Sequence, residues 1–503
     1  MIKNYLSVLL IVFLTINTTL FAQEKLNLKQ LDKQIEQSFQ DFELNGLSVL
    51  ILKDGEILFD KNYGTRDLKN PITSNSLYNI ASLTKAFTGA CMAKLVYEKK
   101  INWDDLVIDY LPDFKLADAY IANHLTIADL LTHRSGMGTF YGDLLWYETE
   151  RSNQDILHRM RYLPVTNRFR DQYGYQNNMY IVAAEILKKV SGQDWEDYLS
   201  EHILLPLQMN NTKTSGNLLT ENQELAHPII HGKVVDITMK RPHAAASIFT
   251  STSDLSHWAE MLLNQGIYKG DTILNPSVVE VMMAGRTLRP VSGLKKMAGA
   301  HFNTYALGWS VWDYHGVRVL EHGGGMPGYI SNLTLIPEYH MAFIILTNTL
   351  SSFPSALEYH LLAKLMKDKS IDWLNLFEGF KTRAEQYDKA EEEKRLASRI
   401  EGTKPRLALD EYVGTYEDKM YGKAEISMVD QHLHLVFVPA KHIFFSDMEH
   451  WNYDTFKIKF ADEFLPAGYI NFEFDSWNKI TGFKIDLKSN DFHFFNLDFK
   501  KTD

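Results

Sequence analysis

Ile80-Ala81-Ser82-Leu83-Thr84-Lys85-Ala86-Phe87 is the stretch whose reading decides the fold of this chain. A serine that opens a helix places a lysine three residues later on the same face, one turn away. That spacing suits acyl transfer on two counts. A serine hydroxyl is a poor nucleophile at neutral pH, so a nearby base has to take its proton as it attacks a carbonyl carbon. A helix N-terminus also leaves backbone N–H groups without intrahelical partners, and one of them can point at the oxyanion that forms. Residues 86–99 read as the rest of the helix: they are rich in Ala, Leu and Met, hold no Pro, and run into Glu98-Lys99-Lys100. Ser82 is therefore a candidate nucleophile and Lys85 its candidate base.

Spacing alone does not decide the matter. Ser292-Gly293-Leu294-Lys295 repeats it, but follows Pro290 and carries Gly293 inside, so it is expected to be loop. For Ser82 and Lys85 the alternative is a helix-capping serine beside a solvated lysine.

The 503 residues exceed the usual size of one domain, so two domains are expected, with ample length for a large core. Apolar content of 45% and charged content of 23% are those of a soluble globular protein. A net charge of −11 with no run of clustered Lys and Arg argues against a nucleic-acid partner. His432 and His434 share one face of an expected strand, but no further ligand is spaced to join them. They are expected to be exposed strand histidines, and neither metal nor cofactor is expected.

Met1-Ile2-Lys3 is a short basic start, residues 6–15 are apolar, and Thr19-Leu20-Phe21-Ala22 ends on a small residue before Gln23. A secretory signal peptide over residues 1–22 is expected, an anchoring helix being the alternative. Cleavage after Ala22 removes one charged residue, Lys3, and takes the net charge from −11 to −12. The mature chain is then expected in the periplasm or secreted, without a transmembrane helix. Cys91 is the only cysteine, so no internal disulfide can form; it is expected to pack as a small buried hydrophobe.

Outward from Ser82, residues 26–42 read as a charged, mildly amphipathic helix, and the apolar runs 47–52 and 56–59 flank Asp54-Gly55, a strong hairpin signal. Thr126 and Asp129 stand at capping-box spacing at the start of another helix. Residues 137–167 hold Phe140, Tyr141, Trp146, Tyr147 and Tyr162, which either wall a pocket or pack under a helical insert, the commoner role of buried aromatics. Tyr173-Gly174-Tyr175-Gln176-Asn177-Asn178-Met179-Tyr180 runs into an apolar helix over 181–190 that stops at Ser191-Gly192.

Strands are expected at 309–312 and 317–319, before Glu321-His322-Gly323-Gly324-Gly325-Met326-Pro327-Gly328-Tyr329, and again at 331–336 and 341–348. A helix over 354–366 completes a sheet covered by helices. Residues 381–404 are charged with almost no apolar face, as in a solvated linker helix. Short strands from Tyr412 onward form a separate all-β module with nothing nucleophilic in it.

Ser82-Leu83-Thr84-Lys85, Tyr175-Gln176-Asn177 and His322-Gly323-Gly324, in this order and at this separation, resemble the class C β-lactamase and D-alanyl-D-alanine carboxypeptidase family of serine hydrolases. Leu130-Leu131-Thr132-His133-Arg134-Ser135-Gly136-Met137 and Gly325-Met326-Pro327-Gly328-Tyr329 look like family stretches too, and the resemblance covers roughly residues 47–365. The C-terminal part, with Tyr412-Val413-Gly414-Thr415-Tyr416, is similar to the lipocalin-like β-domain often appended to such proteins.

The resemblance implies an α+β fold, an antiparallel sheet flanked by helices plus an all-helical part, with a separate C-terminal all-β domain. It divides the chain into a signal peptide (1–22), a serine hydrolase domain (23–380), a charged helical linker (381–405) and a lipocalin-like domain (406–503). It also implies roles. Ser82 would form the acyl-enzyme, a partly desolvated Lys85 would act as base, and Tyr175 would pass a proton to the leaving group. Asn177 would hold Lys85 or the substrate amide, His322, Gly323 and Gly324 would edge the site on a strand, and the N–H groups of Ser82 and Gly325 would form the oxyanion hole. Tyr173 competes with Tyr175, which is preferred because only it has Asn two residues later.

One departure bears on substrate. β-Lactamases of this family usually carry Lys where His322 stands, and an imidazole is mostly neutral at neutral pH. A peptidase or esterase is then at least as well matched as a β-lactamase. The expected partner is a small-molecule or peptide substrate (a D-amino-acid peptide, a β-lactam or a carboxylic ester), and oligomeric state is not set by the sequence. The alternatives are a non-catalytic binding protein on the same fold and a β-domain that binds a hydrophobic ligand.

Overall fold

The computed structural model describes residues 26–502; the expected signal peptide lies outside the described residues. The hairpin forms around Asp54 and Gly55, whose φ angles of 53° and 80° are the two positive values a tight primed turn requires. It joins Gly46–Lys53 (β1) to Glu56–Gly64 (β2). Six further strands complete one antiparallel sheet: Thr287–Leu288 (β3), Asn303–Tyr305 (β4), Ser310–Tyr314 (β5), Val317–Met326 (β6), Tyr329–Ile336 (β7) and Met341–Thr347 (β8). Its order is β2-β1-β8-β7-β6-β5-β4-β3, so the first hairpin pairs with the last strand of the meander.

Period-two alternation sends alternate residues of the central strands to two different cores. Val49, Ile51, Phe343 and Ile345 face one side, where they pack with Leu31 and Ile35 of the helix Leu28–Asp41, the helix Phe353–Leu365, and Trp373 and Phe377. Leu50, Leu52, Ile344 and Leu346 face the other, against the helices Thr84–Tyr97, Asn178–Ser191 and Thr252–Leu263. On that side Phe87 stacks on Trp258 with ring centroids 4.2 Å apart, a pairing worth about 1 kcal/mol beyond the area it buries. Thr126 caps Ile127–Leu131 in a reciprocal box, its N–H donating to Asp129 Oδ2 at 3.0 Å and its hydroxyl accepting from the Asp129 N–H at 3.3 Å. Cys91 is buried in the helix that follows Ser82.

The charged helix departs from the expectation for residues 381–404. It spans Trp373–Ala397, because Trp373 and Phe377, one turn apart, bury their rings against Tyr359 before the exposed, charged portion begins. A second departure lies at Ser292. Residues 293–297 are not loop but a short helix, Gly293–Met297, and Lys295 turns inward to pair with Glu321 at 2.7 Å.

Beyond the charged helix eight strands close into an antiparallel barrel: Gly414–Asp418 (β9), Gly422–Val429 (β10), His432–Phe437 (β11), Phe445–Asn452 (β12), Thr455–Ile458 (β13), Gly468–Phe474 (β14), Ile480–Asp486 (β15) and Phe499–Lys501 (β16). Closure leaves no free sheet edge. The barrel docks on the aromatic stretch of residues 137–167. There the Tyr147 hydroxyl donates to Asp462 at 2.9 Å, Arg159 donates to the Met420 carbonyl at 3.2 Å, and Tyr147 stacks on Phe492 at 4.1 Å. Among the described residues no helix is long and apolar enough to cross a membrane.

Candidate active site

Ser82 lies in a single 3-10 turn, Ala81–Leu83, that feeds directly into the helix Thr84–Tyr97. Asn79 fixes the turn by accepting the Ala81 N–H on its side chain at 2.8 Å, and Ala81 adopts φ 46°, a left-handed value that costs a non-glycine residue about 1 kcal/mol. Two glycines press the turn and helix into place. A Cβ on Gly324 of β6 would stand 2.2 Å from the Ile80 carbonyl oxygen, and one on Gly308 would stand 2.6 Å from the Lys85 backbone. Neither position accepts a side chain without moving Ser82 or Lys85.

Lys85 is fully buried, and its ammonium has three neighbours. Nζ lies 3.0 Å from Ser82 Oγ, 2.6 Å from Asn177 Oδ1 and 3.1 Å from the Ala245 carbonyl oxygen. That carbonyl is held there because the Thr88 hydroxyl donates to the Ala244 carbonyl at 2.6 Å and the Ile248 N–H donates to Thr84 Oγ1 at 3.3 Å. Burial pushes Lys85 well below the ordinary lysine value, with Asp143 pulling weakly the other way. A neutral amine has two N–H groups and one lone pair. Asn177 and Ala245, which can only accept here, take the two hydrogens and leave the lone pair facing the Ser82 hydroxyl.

Tyr175 comes in from the chain segment before Asn178–Ser191. Its hydroxyl is hydrogen-bonded to Ser82, its ring faces Lys85 Nζ at 4.7 Å, and burial holds it well above the ordinary tyrosine range, so it keeps its proton. Tyr173 packs instead under Arg289 at 4.7 Å, away from Ser82. Asn177 spans two ionisable groups: its Oδ1 accepts from Lys85, and its Nδ2 donates to Asp143 Oδ2 at 2.6 Å. Asp143 also accepts from Trp146 Nε1 at 3.0 Å, and burial pushes its carboxyl up to about 7.

Beyond Glu321, β6 pairs only with β7, and along the edge left free Gly323 and Gly325 border a cavity of about 340 Å³ above Ser82. Gly324, on the same face of the strand as His322, points onto the Ser82 turn and does not line the cavity. His322 lines the cavity in a fixed neutral tautomer. Its Nδ1–H donates to the Gly323 carbonyl at 2.6 Å and its Nε2 accepts from the Tyr305 hydroxyl at 2.9 Å, while burial pushes the imidazole down to about 3. Phe140 and Trp146 of the aromatic stretch line the cavity as well, whereas Tyr147 packs under the barrel and Tyr162 is largely exposed.

Several residues here carried no signal that the sequence patterns exposed. Asp143 had one usable cue, a lone carboxylate ahead of Leu144-Leu145-Trp146. The Ala245 carbonyl and the Tyr305 hydroxyl had none. Phe464, Asp491 and Phe492, which also line the cavity, come from barrel loops far beyond Ser82 in sequence. Among the described residues no group of three or more His, Cys, Asp and Glu is placed to hold a metal ion.

An antiparallel sheet between helical layers, with a serine and lysine at the head of a buried helix, is the α+β fold of β-lactamases and penicillin-binding proteins. The chain belongs to the beta-lactamase family of serine hydrolases, whose family model matches residues 31–366. Residues 398–501, which include the barrel, match a domain of unknown function (DUF3471). The chain is similar to the unguisins hydrolase ungD' of Aspergillus campestris, 28% identical over 432 residues, covering 81% of this chain and 79% of that protein. It is also similar to protein flp of Staphylococcus aureus, 27% identical over 354 residues and covering 68% of this chain and 67% of that one. In fold it matches the octameric penicillin-binding protein homologue from Pyrococcus abyssi with a TM-score of 0.60 at 20% identity, over 94% of this chain and 100% of that one.

Proposed function

We propose that this chain is an exported serine hydrolase that cleaves an amide or ester through an acyl-Ser82 intermediate, in the manner of the class C β-lactamase and D-alanyl-D-alanine carboxypeptidase group, with a lipocalin-like barrel attached. The observation that carries the proposal is the 3.0 Å approach of a buried Lys85 Nζ to Ser82 Oγ, its other two hydrogen-bonding directions being occupied by acceptors. As Oγ attacks the carbonyl carbon, Lys85 takes the hydroxyl proton and the carbonyl oxygen becomes an oxyanion facing the N–H groups of Ser82 and Gly325. Tyr175 gives its proton to the departing amine or alkoxide and recovers one from Lys85. Water then attacks the acyl-enzyme, releasing the carboxylic acid and restoring the Ser82 hydroxyl.

The substrates that suit this cavity are peptides and esters rather than compounds recognised through a carboxylate. A neutral His322 offers such a group no fixed positive charge, and a β-lactam is correspondingly a poor match. Export is supported by the basic and apolar character of residues 1–22.

Intact-protein mass spectrometry of the wild-type chain and Ser82→Ala, after incubation with a fluorophosphonate, penicillin or a short-chain aryl ester, tests the proposal. A stoichiometric adduct on Ser82, absent from the variant, is expected with the fluorophosphonate and the ester. No adduct with any reagent on folded protein would overturn it in favour of a non-catalytic binding protein.

A further inference from the structure

The wall of the cavity opposite β6 is not built by the hydrolase fold alone. Phe464 lies between β13 and β14, and Asp491 and Phe492 lie between β15 and β16, so the barrel closes the space above Ser82. The second of these loops is held in place. Ser489 Oγ accepts the N–H groups of Asp491 at 3.3 Å and Phe492 at 3.0 Å. Phe492 stacks on Tyr147, meets Trp146 edge-on at 6.4 Å and takes the edge of Phe464 at 6.3 Å. These contacts seat the loop against the aromatic stretch below it.

Asp491 is the exception in this apolar wall. Among the described residues nothing donates a hydrogen bond to its carboxylate and no Lys or Arg pairs with it; burial raises its proton affinity, and His493, two residues on and itself pushed down by burial, is the one cationic side chain that opposes this. A part-buried carboxylate without a hydrogen-bond donor or a fixed cation is stabilised by a cation brought beside it. No Lys or Arg lines the cavity, and Lys85 lies behind Ser82 and Asn177. Phe140, Trp146, Phe464 and Phe492 meanwhile line the same space with aromatic rings. The charge and surface are those that receive a cation attached to an apolar body.

We propose that Asp491 and the rings of Trp146, Phe464 and Phe492 form a subsite, three of its four residues supplied by the barrel, that binds the free ammonium group of a substrate bearing an apolar or aromatic side chain. This rests on the acyl-Ser82 reading and deepens it: the preferred substrate is an amide or ester carrying a free amine near the scissile bond, as at the amino end of a short peptide. A blocked amine or a free carboxylate in that place is disfavoured.

Calorimetric titration of the full chain with phenethylammonium and with its neutral counterpart, 2-phenylethanol, tests this without requiring Ser82 to react. The ammonium is expected to bind at least about tenfold more tightly than the alcohol, and to slow fluorophosphonate labelling of Ser82 in proportion. In Asp491→Asn that ratio is expected to fall to about one, and Asp491→Glu is expected to restore part of it. Equal affinities for the two ligands in the wild-type chain would overturn the proposal, as would an unchanged ratio in Asp491→Asn. Ammonium-selective binding on a protein whose Ser82 takes no label would instead overturn the hydrolase reading and leave the subsite standing.

Discussion

Asp143 and Lys85 are joined through a single carboxamide: Asn177 accepts from Lys85 Nζ at 2.6 Å and donates to the Asp143 carboxylate at 2.6 Å. Two buried ionisable groups in one hydrogen-bonded line titrate as a pair rather than singly. Burial moves them in opposite senses, Lys85 down and Asp143 up to about 7, in each case against the charged form.

Replacing the carboxylate separates the two effects. Asp143 stabilises the charged form of Lys85, so Asp143→Asn is expected to lower the proton affinity of Lys85 further. The acid limb of the kcat/KM profile for an aryl ester should move to lower pH. His322, pushed down to about 3 and hydrogen-bonded as a neutral ring, should add no limb near 6.5. An acid limb that moves to higher pH in Asp143→Asn would show that the charge does not act on the base.

The same carboxyl makes stability depend on pH. Its folded value of about 7 lies above the unfolded value of 3.8, so the folded state binds the proton more tightly. The stability this contributes is fully present below pH 3.8 and is lost as pH rises to about 7, a total on the order of 4 kcal/mol. Asp143→Asn should be free of that loss. Urea unfolding of both proteins at pH 5 and pH 8 should show the wild type weakening relative to the variant at the higher pH.

Lys85→Ala should lose turnover nearly as fully as Ser82→Ala, by at least about a thousandfold, because groups that act as one unit are not additive. It also strips the donor from Asn177 Oδ1 and the Ala245 carbonyl, each buried, at about 1–3 kcal/mol apiece. Turnover and thermal melting of the two variants and the double variant check this. Near-normal rates in Lys85→Ala would remove Lys85 from the proposed chemistry.

Much of this was legible in the sequence because it is written in local pattern. Apolar alternation gave the strands, Asp54-Gly55 the hairpin, and Ser82, Tyr175, Asn177 and His322 line one cavity with Lys85 directly behind Ser82, although they come from widely separated parts of the chain. What was not legible depends on which surfaces meet. Nothing near Asp491 states that its loop reaches a cavity more than 400 residues back in the chain, and nothing near Ala245 states that its carbonyl meets Lys85. Ser292-Gly293-Leu294-Lys295 shows the limit from the other side: it too starts a helix, so the S-x-x-K spacing and helix start are shared, and burial partners alone distinguish the two lysines.

The glycines of β6 should respond unequally to alanine. Gly323→Ala and Gly325→Ala add a Cβ whose nearest neighbours lie at 3.7 and 3.6 Å, ordinary contact distances, so folding should be little affected. Gly324→Ala drives a Cβ into the Ile80 carbonyl oxygen and the Ser331 hydroxyl, and the Ser82 turn has to shift. A displacement near 1 Å at a reacting group costs about a hundredfold in rate, so Gly324→Ala should lose about that much turnover although it does not line the cavity. Equal activity in all three variants would show that the turn yields without moving Ser82.

The two lysines of the repeated spacing should fail in different ways. Lys295 Nζ lies 2.7 Å from Glu321 and 2.7 Å from the Ser310 hydroxyl, and burial lowers its proton affinity while Glu321 restores it. Glu321 is held down to about 2, chiefly by the charge of Lys295 against the cost of burial, while burial and the negative charge of Glu321 push the neighbouring Glu358 well above the carboxylate range. Thr334 and Asn332 donate to Glu358, at 2.9 Å each. Lys295→Met leaves the Glu321 carboxylate buried without its cation, which costs about 3–5 kcal/mol, more than replacing a whole buried pair by apolar groups. The double variant Lys295→Met/Glu321→Leu should recover a large part of that loss, and thermal and urea unfolding of both will show it. Because the cluster lies on the face of β6 turned away from Ser82, the fraction of Lys295→Met that remains folded should still take a fluorophosphonate on Ser82, as Ser82→Ala cannot. A stable but unreactive Lys295→Met would mean that Lys295, and not Lys85 alone, governs the serine.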